Sequence, residues 1–205
     1  MKYKAIIYDI DSTLLNTLDM NMYPLIQIIK EELNKDISLD DVLKYATYPG
    51  MQVMEELGIK NKEEVYARWV KYVNEYPDGA KAYPGIQEVL ESLHGRVKQA
   101  IVTSKKQKQY DIDFVSKGLD KYIDEVVLEE DTSKHKPDPE PLNLCLKKLG
   151  LDKSEVIYIG DARSDKEASS NANIDFGLAL WGTLDNSLKD ECNIVLINPK
   201  DILKL

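Results

Sequence analysis

Near the start of the chain an apolar run, Ala5-Ile6-Ile7-Tyr8, is followed by two aspartates one residue apart, Asp9 and Asp11. Residues two apart on an extended chain share a face. Two carboxylates on one face repel unless a cation or a shared proton lies between them. At the C-terminal end of a buried strand such a pair suits a binding or catalytic site. It also suits a plain strand end that runs into a turn, helped by Ser12 and Thr13. The rest of the chain has to separate the two readings.

Three later stretches carry chemistry of the same kind. Ile101-Val102-Thr103-Ser104 is an apolar run that delivers two hydroxyls. Gly160-Asp161-Ala162-Arg163-Ser164-Asp165 follows the apolar run Val156 to Ile159 and delivers two more acids. Between them Lys134-His135-Lys136-Pro137-Asp138-Pro139-Glu140-Pro141 is a proline-bounded segment that presents lysine. Asp161 and Asp165 also suit a helix start, where acids offset the dipole. Thr103 also suits a strand-ending cap for a helix from Lys105. Lysines 105, 106 and 108 read as a solvated helix face.

These residues need elements to position them. Residues 5–8, 97–103, 125–128, 156–159, 174–180 and 193–197 read as strands, the last at an edge. Helical patterns separate them, at Pro84 to His94, Lys105 to Lys117, Pro139 to Leu149 and Ser164 to Asn171, with a final helix from Pro199. Such alternation implies a parallel sheet with helices on both faces. Ligands of open parallel sheets sit beyond the strand C-termini. There strand one brings Asp9, Asp11 and Thr13, strand two Thr103 and Ser104, and strand four Asp161 and Asp165.

Residues 16–80 break the alternation. Leu18, Met22, Leu25, Ile26, Ile29 and Leu33 recur at helical spacing. Ser38 and Asn61 are candidate helix caps. Gly58 ends a helix begun near Met51. Pro77-Asp78-Gly79 breaks the last one. The expected fold class is therefore α/β, a Rossmann-like parallel sheet core over 1–15 and 81–205, with an inserted all-helical subdomain over 16–80.

The chain has 205 residues, 43% hydrophobic and 31% charged, with a formal net charge of −9. That balance argues against a nucleic-acid backbone or an anionic membrane as main partner. No run is long enough to span a bilayer. No signal-type segment opens the chain, so the expected location is cytoplasmic. Two cysteines give no disulfide framework, and Cys145 sits at helical spacing with Leu142, Leu146 and Leu149, as a core residue would. Two histidines are too few for a histidine metal site.

Taken in order, the four stretches resemble the motifs of the haloacid dehalogenase superfamily of phosphohydrolases. Asp9-Ile10-Asp11-Ser12-Thr13 is similar to its first motif and Thr103 to its second. Lys136-Pro137 is similar to the lysine-proline form of the third, and Gly160-Asp161 with Asp165 to the fourth. Ser12 stands where the family usually has glycine, and Asn173 where glycine often follows the fourth-motif helix. Asparagine tolerates the left-handed conformation better than most residues.

The resemblance implies a Mg2+-dependent phosphatase of a small phosphomonoester, with a helical cap, similar to phosphoglycolate phosphatases. It implies Asp9 as nucleophile, forming an aspartyl-phosphate, and Asp11 as general acid and then base. Asp11 would give the metal only its backbone carbonyl. Asp9 and Asp161 would ligate it by side chains, with Asp165 orienting Asp161 or a bound water. Thr103 and Ser104 would hold phosphate oxygens, and Lys136 would offset Asp9 and the phosphoryl group. Lys44, Tyr48, Met51, Arg68 and Lys81 are candidates for contact with the leaving group.

A β-phosphoglucomutase-like transfer, a pyrophosphatase and a nucleotidase use the same scaffold. A phosphate-sensing or partner-binding domain with a retired site is the non-enzyme alternative. A response-regulator receiver lacks the helical insert. The expected partner is a small phosphorylated metabolite, with the chain a monomer or weak dimer.

Overall fold

The computed structural model describes residues 2–46, 48–77 and 79–205. Asp78, in the break read at Pro77–Gly79, lies outside them. In chain order the elements are β1 (Ala5–Tyr8), β2 (Leu15–Asn16), α1 (Leu18–Leu33), α2 (Leu39–Val42), α3 (Gly50–Glu56), α4 (Lys62–Asn74), β3 (Lys81–Ala82), α5 (Ile86–Leu93) and β4 (Lys98–Val102). They continue with α6 (Gln107–Asp113), β5 (Glu125–Val127), α7 (Glu140–Leu149), β6 (Val156–Gly160), α8 (Arg163–Ala172), β7 (Asp175–Ala179), α9 (Leu188–Glu191) and β8 (Ile194–Leu196).

Six strands form a sheet in the order β5-β4-β1-β6-β7-β8, and every pairing is parallel. β1 lies between β4 and β6, with Tyr8 opposite both Ile101 and Ile159. That central place explains why Ala5–Tyr8 is apolar throughout and fully buried. Alternate strand residues Ala5, Ile7, Ala100, Val102, Val156 and Tyr158 share one face, where they pack with Leu142 and Cys145 of α7 and Ala168 and Ala172 of α8. Burial pushes the Cys145 thiol up to about 12, which leaves it an inert core residue. The short strands β2 and β3 pair with each other, outside the main sheet.

The chain divides into two compact units, one of Met1–Asn16 with Ala82–Leu205 and one of Thr17–Lys81. The second is helical, built round Met22, Leu25, Ile28, Ile29, Val53, Met54 and Trp69. Ser38 caps α2 through a reciprocal pair of bonds with Asp41. Asn61 precedes α4 without a side-chain cap bond, a departure from the role read for it in the sequence. Arg68 is engaged within this unit by Glu31 and Glu32. Tyr48 and Met51 are exposed. Among the described residues no helix is long and apolar enough to cross a membrane.

Helix α6 begins at Gln107, two residues later than the expected start. Asn173 ends α8 with φ of +57°, the left-handed conformation expected of it.

Candidate active site

The chemistry-bearing residues come from three neighbouring strand ends. Asp9 follows β1 directly, and its N–H donates to the Ile159 carbonyl of β6 at 2.9 Å, which extends the ladder by one bond. Its carboxylate is almost wholly buried. The chain then turns back: Ser12 takes φ of +56° and its N–H donates to the Leu15 carbonyl at 2.8 Å. A non-glycine residue held in that region is strained by its own Cβ.

The turn is gripped by the stretch after β7. The Trp181 indole N–H donates to the Thr13 carbonyl at 2.9 Å. A Cβ at Gly182 would run into the Ser12 carbonyl oxygen, so the chain passes there only as glycine. Arg163, at the start of α8, ties down the residues beyond through Asp185 and Glu191.

Asp161 follows β6. Its Oδ1 accepts the Thr13 hydroxyl at 2.9 Å. Asp165, fully buried in the first turn of α8, accepts from the Ala162 N–H at 3.1 Å. A Cβ on Gly160 would come within 2.6 Å of the Asp165 carboxylate, so a glycine is required before Asp161. One oxygen each from Asp9, Asp161 and Asp165 lie within 4.8 Å of one another.

Lys136 enters this acid cluster from the proline-bounded segment. Its ammonium lies 2.9 Å from Asp9 Oδ1 and 2.7 Å from Asp165 Oδ1. It also donates to the Tyr158 hydroxyl at 3.1 Å, and that hydroxyl donates to Asp165 Oδ1 at 2.8 Å. Asp165 therefore orients Lys136; its bonds run to Lys136, Tyr158 and Ala162 rather than to Asp161. Lys134, itself exposed, instead reaches half-buried Asp138 at 3.3 Å.

The charges do not balance. Burial pushes the Asp9 carboxyl up to about 7, with Asp165 and Asp11 adding to the effect and Lys136 opposing it. Burial, with Asp165 and Asp9, also holds Asp161 well above the usual carboxylate range. Burial works against the Lys136 ammonium, yet Asp165 and Asp9 keep its pKa well above the ordinary value. Among the described residues one buried cation thus faces three acids, a deficit that a divalent cation would fill.

The donor set fits a hard cation, being all oxygen. Opposite ligands of a magnesium ion stand about 4.2 Å apart, twice its usual bond length. The cluster's spread of at most 4.8 Å is close to that span.

Thr103 follows β4, buried, with its N–H on the Val127 carbonyl at 3.1 Å. Its Oγ1 accepts the Lys105 N–H at 3.3 Å, so the cap-like role and a donor role coexist in one hydroxyl. Thr103, Ser104 and Lys136 line one small cavity. Ser104 itself is exposed.

Asp11 behaves differently from its neighbours. Its carboxylate is 40% exposed and forms an ion pair with Lys105 at 2.8 Å. Lys105 is not on a solvated helix face. Its side chain is 9% exposed and also pairs with buried Asp113 at 2.6 Å. The later start of α6 moves it from the helix surface into the loop beside the strand ends.

A doubly wound parallel sheet thus gathers acids, a hydroxyl and a lysine at its strand ends. The chain belongs to the haloacid dehalogenase-like hydrolase family, whose profile matches residues 6–179, and is a phosphohydrolase. Enzymes of this superfamily generally use Mg2+.

The chain is 29% identical over 187 residues to a protein of Caldanaerobacter subterraneus provisionally named pyrophosphatase PpaX, covering 90% of this chain and 84% of the relative. It is 30% identical to a Lactobacillus plantarum protein of known structure, provisionally named a phosphoglycolate phosphatase, with a TM-score of 0.87 over 100% and 99% of the two chains. A Thermotoga maritima structure provisionally named β-phosphoglucomutase is 26% identical, with a TM-score of 0.82 over 98% and 97%.

Proposed function

We propose that this chain is a magnesium-dependent phosphatase of small phosphomonoesters that works through an aspartyl-phosphate on Asp9. The observation that carries the reading is the placement of buried Asp9 within 2.9 Å of Lys136 and within 4.8 Å of Asp161 and Asp165.

Asp9, Asp161 and the Asp11 carbonyl would hold the ion, which supplies positive charge against the phosphoryl oxygens. Asp165 stays with Lys136. An Asp9 oxygen attacks phosphorus as the ester P–O bond breaks, and Asp11 delivers its proton to the departing oxygen. Asp11 then takes a proton from water as that water attacks phosphorus and the Asp9–phosphorus bond breaks. Lys136 offsets the charge on Asp9 throughout. Thr103, whose acceptor side is used by Lys105, keeps its own proton for a phosphate oxygen.

The helical unit enters the chain six residues after Asp11, at Thr17. On this reading it acts as the cap that selects the leaving group, over the residues expected at 16–80.

The resemblance to the pyrophosphatase PpaX relative supports a second reading, in which inorganic pyrophosphate is the substrate. One assay tests both: phosphate release from a panel of phosphorylated metabolites and pyrophosphate, with magnesium and with EDTA, with the Asp9→Asn variant as blank. Magnesium-dependent release from a monoester and not from pyrophosphate supports the first reading. Release from pyrophosphate alone replaces it with the second.

A further inference from the structure

The contact between Lys105 and Asp11 goes beyond what Lys105 itself needs for charge balance. Asp113, only 2% exposed on α6, already supplies a partner for the Lys105 ammonium at 2.6 Å. That pair alone satisfies the rule that a buried charge keeps a counter-charge. The Asp11 side chain is 40% exposed overall, but the Oδ1 that meets Lys105 is itself buried. Holding it costs side-chain freedom, which solvent would otherwise leave open. Yet the ammonium bridges both carboxylates.

Lys105 is also fixed at both ends of its backbone. Its N–H donates to Thr103 Oγ1 at 3.3 Å, and its carbonyl accepts the Glu129 N–H at 3.0 Å. The Cα is thereby tied to the loop after β4 and to the stretch after β5, while Asp113 ties the ammonium to α6. The arrangement is a short strut. Its base is tied to the loops after β4 and β5, its shaft is buried, and its tip rests on Asp11 Oδ1.

We propose that Lys105, braced by Asp113, is a positioning residue that aims the Asp11 carboxyl for proton exchange with the leaving oxygen. The inference rests on the reading above, in which Asp11 moves that proton. A proton donor must lie within hydrogen-bond reach of the atom it serves, and small misplacements cost rate steeply. Lys105 touches neither phosphate nor metal ligand side chains in this role.

The test uses para-substituted phenyl phosphates, from p-nitrophenyl phosphate to phenyl phosphate itself. The poorer the leaving group, the more its departure depends on a well-aimed proton. Lys105→Met should lose about 10-fold to 100-fold in kcat on phenyl phosphate but less than about threefold on p-nitrophenyl phosphate, with KM and magnesium dependence nearly unchanged. Lys105→Met leaves Asp113 buried and unpaired, so the double variant Lys105→Met with Asp113→Asn is measured beside it. It should recover thermal stability and retain the leaving-group-dependent loss.

A uniform loss across the series, or full recovery of kcat in the double variant, assigns Lys105 to the fold alone and overturns the proposal. Asp11→Asn in the same series separates the two levels of inference. A steep dependence there with a flat one in Lys105→Met sinks only the strut. A flat dependence in Asp11→Asn removes the proton-transfer reading and the strut with it.

Discussion

The Thr13 hydroxyl donates to Asp161 Oδ1 at 2.9 Å, joining the turn after β1 to the loop after β6 across 148 residues of sequence. Thr13 is fully buried, so the bond is shielded from water. Replacing it with valine keeps the shape and removes the donor. A bond to a charged group contributes about 1.5–3 kcal/mol, and residues that orient metal ligands are worth roughly 10-fold to 100-fold in affinity. Thr13→Val should therefore weaken magnesium binding by about tenfold, read by calorimetric titration. Unchanged affinity would show that Asp161 needs no such support.

Asp9→Asn should abolish turnover of p-nitrophenyl phosphate with the fold intact by circular dichroism. It should also change the pH dependence of stability in EDTA. The folded Asp9 carboxyl is raised from its ordinary 3.8 to about 7, so between those values the unfolded chain has lost a proton that the folded one keeps. Stability drawn from this group is then complete below pH 4 and is lost as pH rises towards 7, at about 1.4 kcal/mol per unit at most. The melting temperature of the wild type minus that of Asp9→Asn should fall across that window and level off above it. A difference that stays flat from pH 4 to 8 refutes the assignment.

Asp11→Asn should keep its magnesium affinity, because the proposed ligand is the main-chain carbonyl, while kcat falls by about 10²-fold or more. Calorimetry and steady-state rates on one preparation decide the matter. Collapse of metal binding would make the carboxylate itself a ligand.

Lys136→Met removes an ammonium bonded to both Asp9 and Asp165. Breaking a buried pair from one side costs about 3–5 kcal/mol, since the orphaned charge stays behind. The metal-free variant should melt well below the wild type, and magnesium should recover part of the loss by adding positive charge to the same cluster. Equal melting temperatures with and without magnesium would show that the ion does not enter among these acids.

Much of the site was legible because strand ends announce themselves. Apolar runs that stop at Asp9, Thr103 and Gly160-Asp161 mark both the strand and what it carries. Lys105 was hidden by a two-residue error in where α6 begins. Beside Lys106 and Lys108 it looked like one stripe on a wet helix. Helix starts are the least reliable part of any pattern reading. Tyr158 was hidden differently. Inside the apolar run Val156–Gly160 it reads as filling, and a buried tyrosine hydroxyl needs a partner that local sequence does not name. Its partners, Lys136 and Asp165, arrive from two other segments. Trp181 escaped for the same reason, since its bond to Thr13 spans 168 residues.

The first strand of the chain is the middle strand of the sheet, and this has a price in time. During synthesis Ala5–Tyr8 finds no neighbour until Lys98–Val102 has been made, and its second neighbour is Val156–Gly160. Pairings so distant along the chain close slowly. The ribosome must therefore deliver the 151 residues between Asp9 and Asp161 before the two can meet, and apolar Ala5–Tyr8 needs shelter until then.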